Sequence, residues 1–412
     1  MKHTISSYII VSHHLNMGIH QFRILYTLCD QSIPDIQRAE LLKDLAGYTL
    51  VVDTNLHFFK IVCASIDNTF TYVNQEGQVI SHLFGFATMI KTALTCNISL
   101  IFVLDGVGNS NLKDNTKLER TQKKANAKEQ LASLQPTNPA YISKLKQTMS
   151  MEPSQSQDLM TLLDLMGIPN IQAPGEADPL CVWLTKRKWR NSNNYTTPLQ
   201  GSTLKNYARF VLSEDSDMLA LGASYEIKGT LSNPVIVNRK RLLEALGITN
   251  QQFLLMTTLM GNDYCKNIPQ FAGTKIYKLL KANPNFTTVD QVIKYLQANE
   301  PYEITPKLIQ DFTASLDYFT NAIKSLDRDM KDHPLDESKL KMKLMDYDGT
   351  LEYLVKKDTK KSVSQQRYMN TLTQIHNCQV TMLGLDVPKK AFVFDDSNSN
   401  DNNSEFSEYV DI

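Results

Sequence analysis

The sequence predicts an α/β fold with a mostly parallel central sheet and helices on both faces. Three observations predict it. Short runs such as LVV and LIFVL are apolar throughout, helix-patterned stretches lie between them, and each run ends in an acid. A strand with no polar alternation is buried on both faces, which is the situation of a parallel strand covered by helices. At 412 residues and 42% apolar content, the chain is long enough for a large core.

The elements follow in order. Leu45 to Asn55 reads LAGYTLVVDTN, a strand ending in Asp53. HLFGFATMIKTAL has helical apolar spacing. Ser99 to Gly106, SLIFVLDG, is a second strand, ending in Asp105. Lys113 to Gln130 is helical, polar and basic, with Lys113, Lys117, Arg120, Lys123, Lys124 and Lys128. It is either a solvated surface helix or an arch that contacts phosphates. Ser154 to Met166 is an amphipathic helix. GIPNIQAPGEADPLCVWL gives an edge-like strand, a turn and a helix start, with Pro179 in the first turn, where a missing N–H costs nothing. Trp183 to Arg209 is polar and basic, and reads as a long loop or insertion. Ala208 to Asp217 is the third strand and its acidic exit. Gly261 onward, GNDYCKNIPQFAGTKIYKLLK, predicts a turn, a short helix, a tight hairpin and another helix. Residues 300–390 are helical in pattern and carry no motif. From Asp395 the chain is acidic and rich in Asn and Ser, the composition of a disordered tail.

Composition narrows the partners. Lys+Arg and Asp+Glu are both 43, so there is no global steering toward nucleic acid, and any such surface is a local patch. The six cysteines are scattered, without CxxC or zinc spacing, which suits reduced thiols in an intracellular protein of nucleus or cytoplasm. MKHTISSYIIVSHHLN holds too short an apolar run for a signal peptide. No stretch is long enough for a membrane span, so no membrane partner is expected.

The acids carry the chemistry. Asp53, Asp105, Glu176, Asp178, Asp215, Asp217 and Asp263 stand at strand ends, at a helix start and in a turn. Each alone has a plain explanation, because Asp is common after strands and at N-caps. Together they converge where parallel sheets bind ligands, beyond the carboxyl ends of the strands. Carboxylates crowded on one rim cannot all ionise without counter-charge. Hard oxygen ligands without His or Cys favour Mg²⁺ or Mn²⁺. Two such ions about 4 Å apart clamp a phosphodiester.

Six blocks, in order, carry a resemblance: MGIHQF from Met17, VVDTN, FVLDG, APGEADPLC, SEDSDML and GNDYCKNIP. The chain resembles the structure-specific 5′ nucleases, the flap endonucleases and their relatives, over residues 17 to about 280. The resemblance implies a PIN-like 5′ nuclease core in two parts, 17–107 and 161–265, separated by a helical arch at 108–160. An insertion is expected near 185–207, a helical DNA-binding hairpin at 266–300, a helical region at 301–392 and an acidic tail at 393–412. The first sixteen residues are then an extension, or Met17 is the start. The divergent, compact form is also similar to those carried by large DNA viruses.

The same resemblance implies roles. The seven acids would hold two Mg²⁺ ions, with Mn²⁺ as a substitute. Lys113 and Arg120 match the basic pair that contacts the scissile phosphate. Gly18, Phe59, Gly273, Thr274, Lys275 and Lys278 match DNA-contacting positions, Phe59 being equally a core residue. The implied substrate is DNA with a 5′ flap, nick or branched junction, cut for replication, repair or recombination. The alternatives are a 5′→3′ exoribonuclease and a non-catalytic nucleic-acid-binding scaffold of the same fold. The chain also departs from the family, and Pro179 follows Asp178 where Ala is usual. Asp178 stands where Glu is usual. No sliding-clamp box is recognisable. The hairpin reads IPQFAGTK where the family has I-P-G-x-G, so Gln270 and Ala272 take glycine positions and put the K⁺ site in question.

Overall fold

The computed structural model describes residues 19–29, 36–39, 42–67, 71–106, 113–189, 206–300 and 302–390. Gly18, most of the expected insertion and the acidic tail lie outside them.

One seven-stranded sheet organises the chain, in the order β1-β7-β6-β5-β2-β3-β4. Its strands are β1 (Gln37–Ala39), β2 (Thr49–Asp53), β3 (Ser99–Leu104), β4 (Asn170–Gln172), β5 (Phe210–Leu212), β6 (Tyr225–Gly229) and β7 (Pro234–Asn238). β2 pairs in parallel with β3 and β5, and β3–β4 and β5–β6 are parallel as well. Within the sheet as described, β6–β7 and β1–β7 run antiparallel. The sheet is therefore mostly parallel, as the apolar runs imply.

The helices are α1 (Ile24–Leu28), α2 (Thr54–Asp67), α3 (Ser81–Thr95), α4 (Asp114–Ser133), α5 (Ala140–Thr148), α6 (Pro153–Leu165), α7 (Ala177–Lys186) and α8 (Asp217–Ala220). There follow α9 (Arg239–Leu246), α10 (Asn250–Leu259), α11 (Gly273–Ala282), α12 (Val289–Asn299), α13 (Pro306–Asp332), α14 (Tyr347–Lys357) and α15 (Gln365–Leu383). Strand side chains alternate between faces, and this alternation builds two cores. Leu50, Val52, Leu100, Phe102 and Leu212 face one core, with Phe58, Phe86, Leu162 and Leu372. Val51, Ile101, Val103 and Val211 face the other, with Leu180, Phe253 and Phe312. Phe102 is fully buried and meets Phe86 edge-on at 5.6 Å, so truncation to Ala would cost about 3–5 kcal/mol.

The C-terminal helices close both layers. α13 brings Phe312, Phe319 and Leu326 to the second core. On the other face, Asp158 of α6 accepts hydrogen bonds from Tyr353 (3.1 Å) and Lys357 (2.7 Å) of α14. Helix ends follow local chemistry. Glu152 with Gln155, Thr249 with Gln252 and Thr288 with Gln291 form capping boxes, and Pro153 and Pro306 sit at the first helical positions.

One expectation needs correction. No short helix follows Gly261. The Asn262 side chain instead accepts the backbone N–H groups of Tyr264 (2.9 Å) and Cys265 (3.2 Å), a local alternative to helical bonding. α7 runs to Lys186, at the start of the segment read as an insertion near 185–207. The Arg187 guanidinium pairs with Asp327 of α13, which also accepts from Trp183 Nε1 at 2.7 Å. No helix among the described residues is long and apolar enough to cross a membrane.

Candidate metal-dependent active site

The parallel register fixes where the acids go. β2 ends in Asp53 beside β5 and β3, so Asp53, Asp105 and the segment Ser213–Asp217 leave the sheet at one edge. Asp53 is held by a relay across two strands. Its Oδ2 accepts from Ser213 Oγ at 3.0 Å, and the same Oγ accepts the Asp215 N–H at 3.0 Å. Asp215 Oδ1 in turn accepts the Asp217 N–H at 2.9 Å. Asp105 is set against the start of α7: Oδ1 accepts the Ala177 N–H at 2.8 Å, and Oδ2 accepts from Asn55 Nδ2. A helix N-terminus favours negative charge there.

Glu176 is the N-cap of α7 and Asp178 lies in its first turn. Lys113, just before α4, bridges them: its Nζ is 2.9 Å from Glu176 Oε2 and 3.5 Å from Asp178 Oδ2. Arg120, on the same helix, pairs with Asp263 at 2.7 Å, and Thr116 Oγ1 donates to the Asp263 carbonyl at 2.6 Å. The basic helix is thus fastened at its first turns to the acidic rim.

The electrostatics show a cluster short of positive charge. Burial, then the charges of Asp105 and Asp215, push Asp53 up to about 7. Burial raises Asp105 and Asp215, and raises Asp178 and Asp217 well above the usual carboxylate range. Burial opposes the charge of Lys113, yet Asp178, Glu176 and Asp217 outweigh it and hold the ammonium well above its ordinary value. Both Asp217 oxygens and Glu176 Oε1 are buried without a hydrogen-bond partner. Unpaired buried carboxylate oxygens are costly, and hard cations are bound by such oxygens. The residues present therefore fit divalent ions. Among the described residues, no three such groups already stand arranged to hold one; the cation that Glu176 and Asp178 share here is Lys113.

The other expected positions fall elsewhere. Phe59 lies on α2, half-buried beside the core residue Phe58. Gln270 adopts the left-handed conformation itself, with φ 63°, so the turn keeps a shape that glycine would make cheaply. Gly273 has no positive φ and opens α11, where a Cβ would meet Ile24 Cγ2 at 2.9 Å. Thr274 is half-buried, and Lys275 and Lys278 are exposed on α11. Lys275 Nζ donates to the Gln270 carbonyl and to Tyr302 Oη, each at 3.1 Å. Sequence reasoning missed Ser213, Asn55 and Tyr264, although all three stand inside the quoted blocks. It also missed Tyr318, for which no motif gave a signal.

No family model matches the chain. It is 23% identical to Flap endonuclease 1 of Theileria parva over 356 residues, covering 84% of this chain and 64% of that protein. The chain thus spans less than two thirds of that relative's length. Flap endonuclease-1 from Methanococcus jannaschii shares the fold at TM-score 0.56 and 20% identity, covering 84% of this chain and 98% of that one. The Holliday junction-resolving enzyme GEN1, solved with product DNA, Mg²⁺ and Mn²⁺ ions, matches at TM-score 0.50 and 14% identity, covering 85% of this chain and 79% of its own. Six motifs in order, the parallel sheet that gathers their acids and these likenesses agree: the chain is similar to the structure-specific 5′ nucleases.

Proposed function

We propose that the chain is a metal-dependent 5′ nuclease that hydrolyses phosphodiester bonds in flapped, nicked or branched DNA. The observation that carries this reading is the gathering of Asp53, Asp105, Glu176, Asp178, Asp215 and Asp217 around Lys113, with carboxylate oxygens left unpaired. Two Mg²⁺ ions, or Mn²⁺ in their place, would supply activation of the attacking water and neutralise charge at the phosphate. The seven acids, Asp263 included, would hold them, some through water. Asp178, shorter than the usual Glu, is suited to a water-mediated contact.

The chain's own residues do the rest. Lys113 and Arg120 would bind the scissile phosphate and stabilise the charge that builds on it in the transition state. Both are held by acids here, so substrate competes with Glu176, Asp178 and Asp263 for them. Lys117, Lys123 and Lys128 line α4 with positive charge for the backbone of a single strand. Lys278, Thr274 and the start of α11 would meet duplex phosphates, and Phe59 a base. The Lys275 ammonium on the Gln270 carbonyl supplies the turn with a cation of its own, so K⁺ is not required there.

The test is cleavage of an end-labelled 5′-flap DNA with Mg²⁺ and with EDTA, beside a lane of 5′-phosphorylated RNA. Mg²⁺-dependent cuts near the junction, lost in Asp105→Ala and Asp215→Ala with the fold retained, support the reading. Activity that survives in both variants, or appears only on RNA, sinks it.

A further inference from the structure

The acid cluster has an aromatic wall. The Tyr264 ring lies beneath Lys113, with Nζ 4.9 Å from its centroid. Its hydroxyl donates to Glu176 Oε2 at 3.0 Å, the same oxygen that Lys113 meets at 2.9 Å. Tyr264 therefore touches both members of one ion pair. A cation on an aromatic face is held more strongly when desolvated, and the Lys113 side chain is only 10% exposed.

The wall is braced from outside the motifs. Tyr318 of α13 packs against Tyr264 with ring centroids 4.4 Å apart, and Phe319 meets the same ring edge-on at 5.5 Å. Ser315, one turn earlier, exchanges a hydrogen bond with Asn262 at 3.0 Å, fixing α13 to the turn that carries Asp263 and Tyr264.

We propose that Tyr264, braced by Tyr318, is a positioning residue: it fixes the Lys113 ammonium and the Glu176 carboxylate relative to each other. The inference rests on the nuclease reading for what Lys113 then does. Its geometry does not. Tyr264→Phe keeps the ring and loses the bond to Glu176. Tyr264→Leu loses both, and Tyr318→Leu removes the brace alone.

Two readouts test it. The first is the Mn²⁺ concentration that half-maximally raises the melting temperature without DNA. Tyr264→Phe and Tyr264→Leu should both raise that midpoint, by roughly three- to tenfold, because Glu176 is no longer oriented. The second is flap cleavage in a double-mutant cycle with Lys113→Ala. At saturating Mg²⁺, where the Glu176 effect on metal affinity drops out, Tyr264→Leu alone should lower kcat roughly tenfold with KM nearly unchanged, and should add nothing to Lys113→Ala. Tyr318→Leu should show the same pattern more weakly, and Tyr318→Phe should restore it. An unchanged Mn²⁺ midpoint, or losses that multiply in the double variant, would overturn the proposal. If wild type responds to Mn²⁺ yet does not cut, the nuclease reading fails and the midpoint shift still decides the positioning role. No Mn²⁺ response in wild type overturns both.

Discussion

The Ser213 hydroxyl donates to Asp53 Oδ2 at 3.0 Å while accepting the Asp215 amide at the same distance. One side chain thus locks the exits of two neighbouring parallel strands and sets the spacing of two acids. The serine is fully enclosed, so no water takes its place without rearrangement.

Ser213→Ala is expected to leave Asp53 Oδ2 and the Asp215 amide without that partner. The loss is about 1–3 kcal/mol of stability, read as a lower urea midpoint at unchanged m-value. Cleavage should fall further than stability accounts for, because Asp53 and Asp215 lose their register. An alanine variant that cuts at the wild-type rate would show that the relay does not set the acids.

Gln270 supports a prediction with the opposite sign. Its left-handed backbone costs a non-glycine residue about 1–2 kcal/mol. Gln270→Gly removes that strain and gives back part of it as chain entropy. The net expectation is a gain of about 0.5–1 kcal/mol in urea unfolding, with flap binding unaffected by exchanging Na⁺ for K⁺ as long as Lys275 is present. Destabilisation would mean that the glutamine side chain contributes more than the backbone loses.

Acid sensitivity should come in part from His82. It is fully buried against Phe58, centroids 4.9 Å apart, and neither ring nitrogen is hydrogen-bonded. Burial pushes it down from 6.5 to about 4. The unfolded chain therefore takes up this proton first, and the stability tied to the neutral ring is full above about 6.5 and is lost as pH falls toward 4. His82→Leu should flatten the melting temperature between those values while changing little at pH 8. An equal slope in both proteins would place the acid-sensitive group elsewhere.

The sequence made six of the acids legible because they stand just after an apolar run or at a helix start, where local pattern and chemistry coincide; Asp263, in a turn, stood out only through its motif. Asp53 and Asp105 needed no more than the local pattern. Ser213 and Asn55 were visible as letters but not as contacts, since their roles depend on which strands become neighbours. Tyr318 was out of reach altogether: its part in the site comes from α13 folding back on the Asn262 turn, which a helical pattern alone does not encode. The short helix expected after Gly261 failed for a local reason, the Asn262 side chain taking the amides that a helix would need.

Asp217 is where stability and the proposed function pull apart. It is fully buried, both oxygens lack partners, and Asp215 repels it after burial has already disfavoured its charge. Asp217→Asn removes that charge and offers donors to the neighbouring carboxylates. In EDTA the variant is expected to melt about 2–4 °C higher than wild type. In Mg²⁺ the order should reverse, because an ion bound only by the folded state stabilises it through mass action and the variant has lost a hard ligand. Flap cleavage should fall by at least a hundredfold. Melting scans of both proteins across a Mg²⁺ titration decide it. Crossing curves mean that the cluster carries strain which a metal relieves. An Asn variant less stable at every Mg²⁺ concentration would mean that Asp217 is held by protein contacts alone.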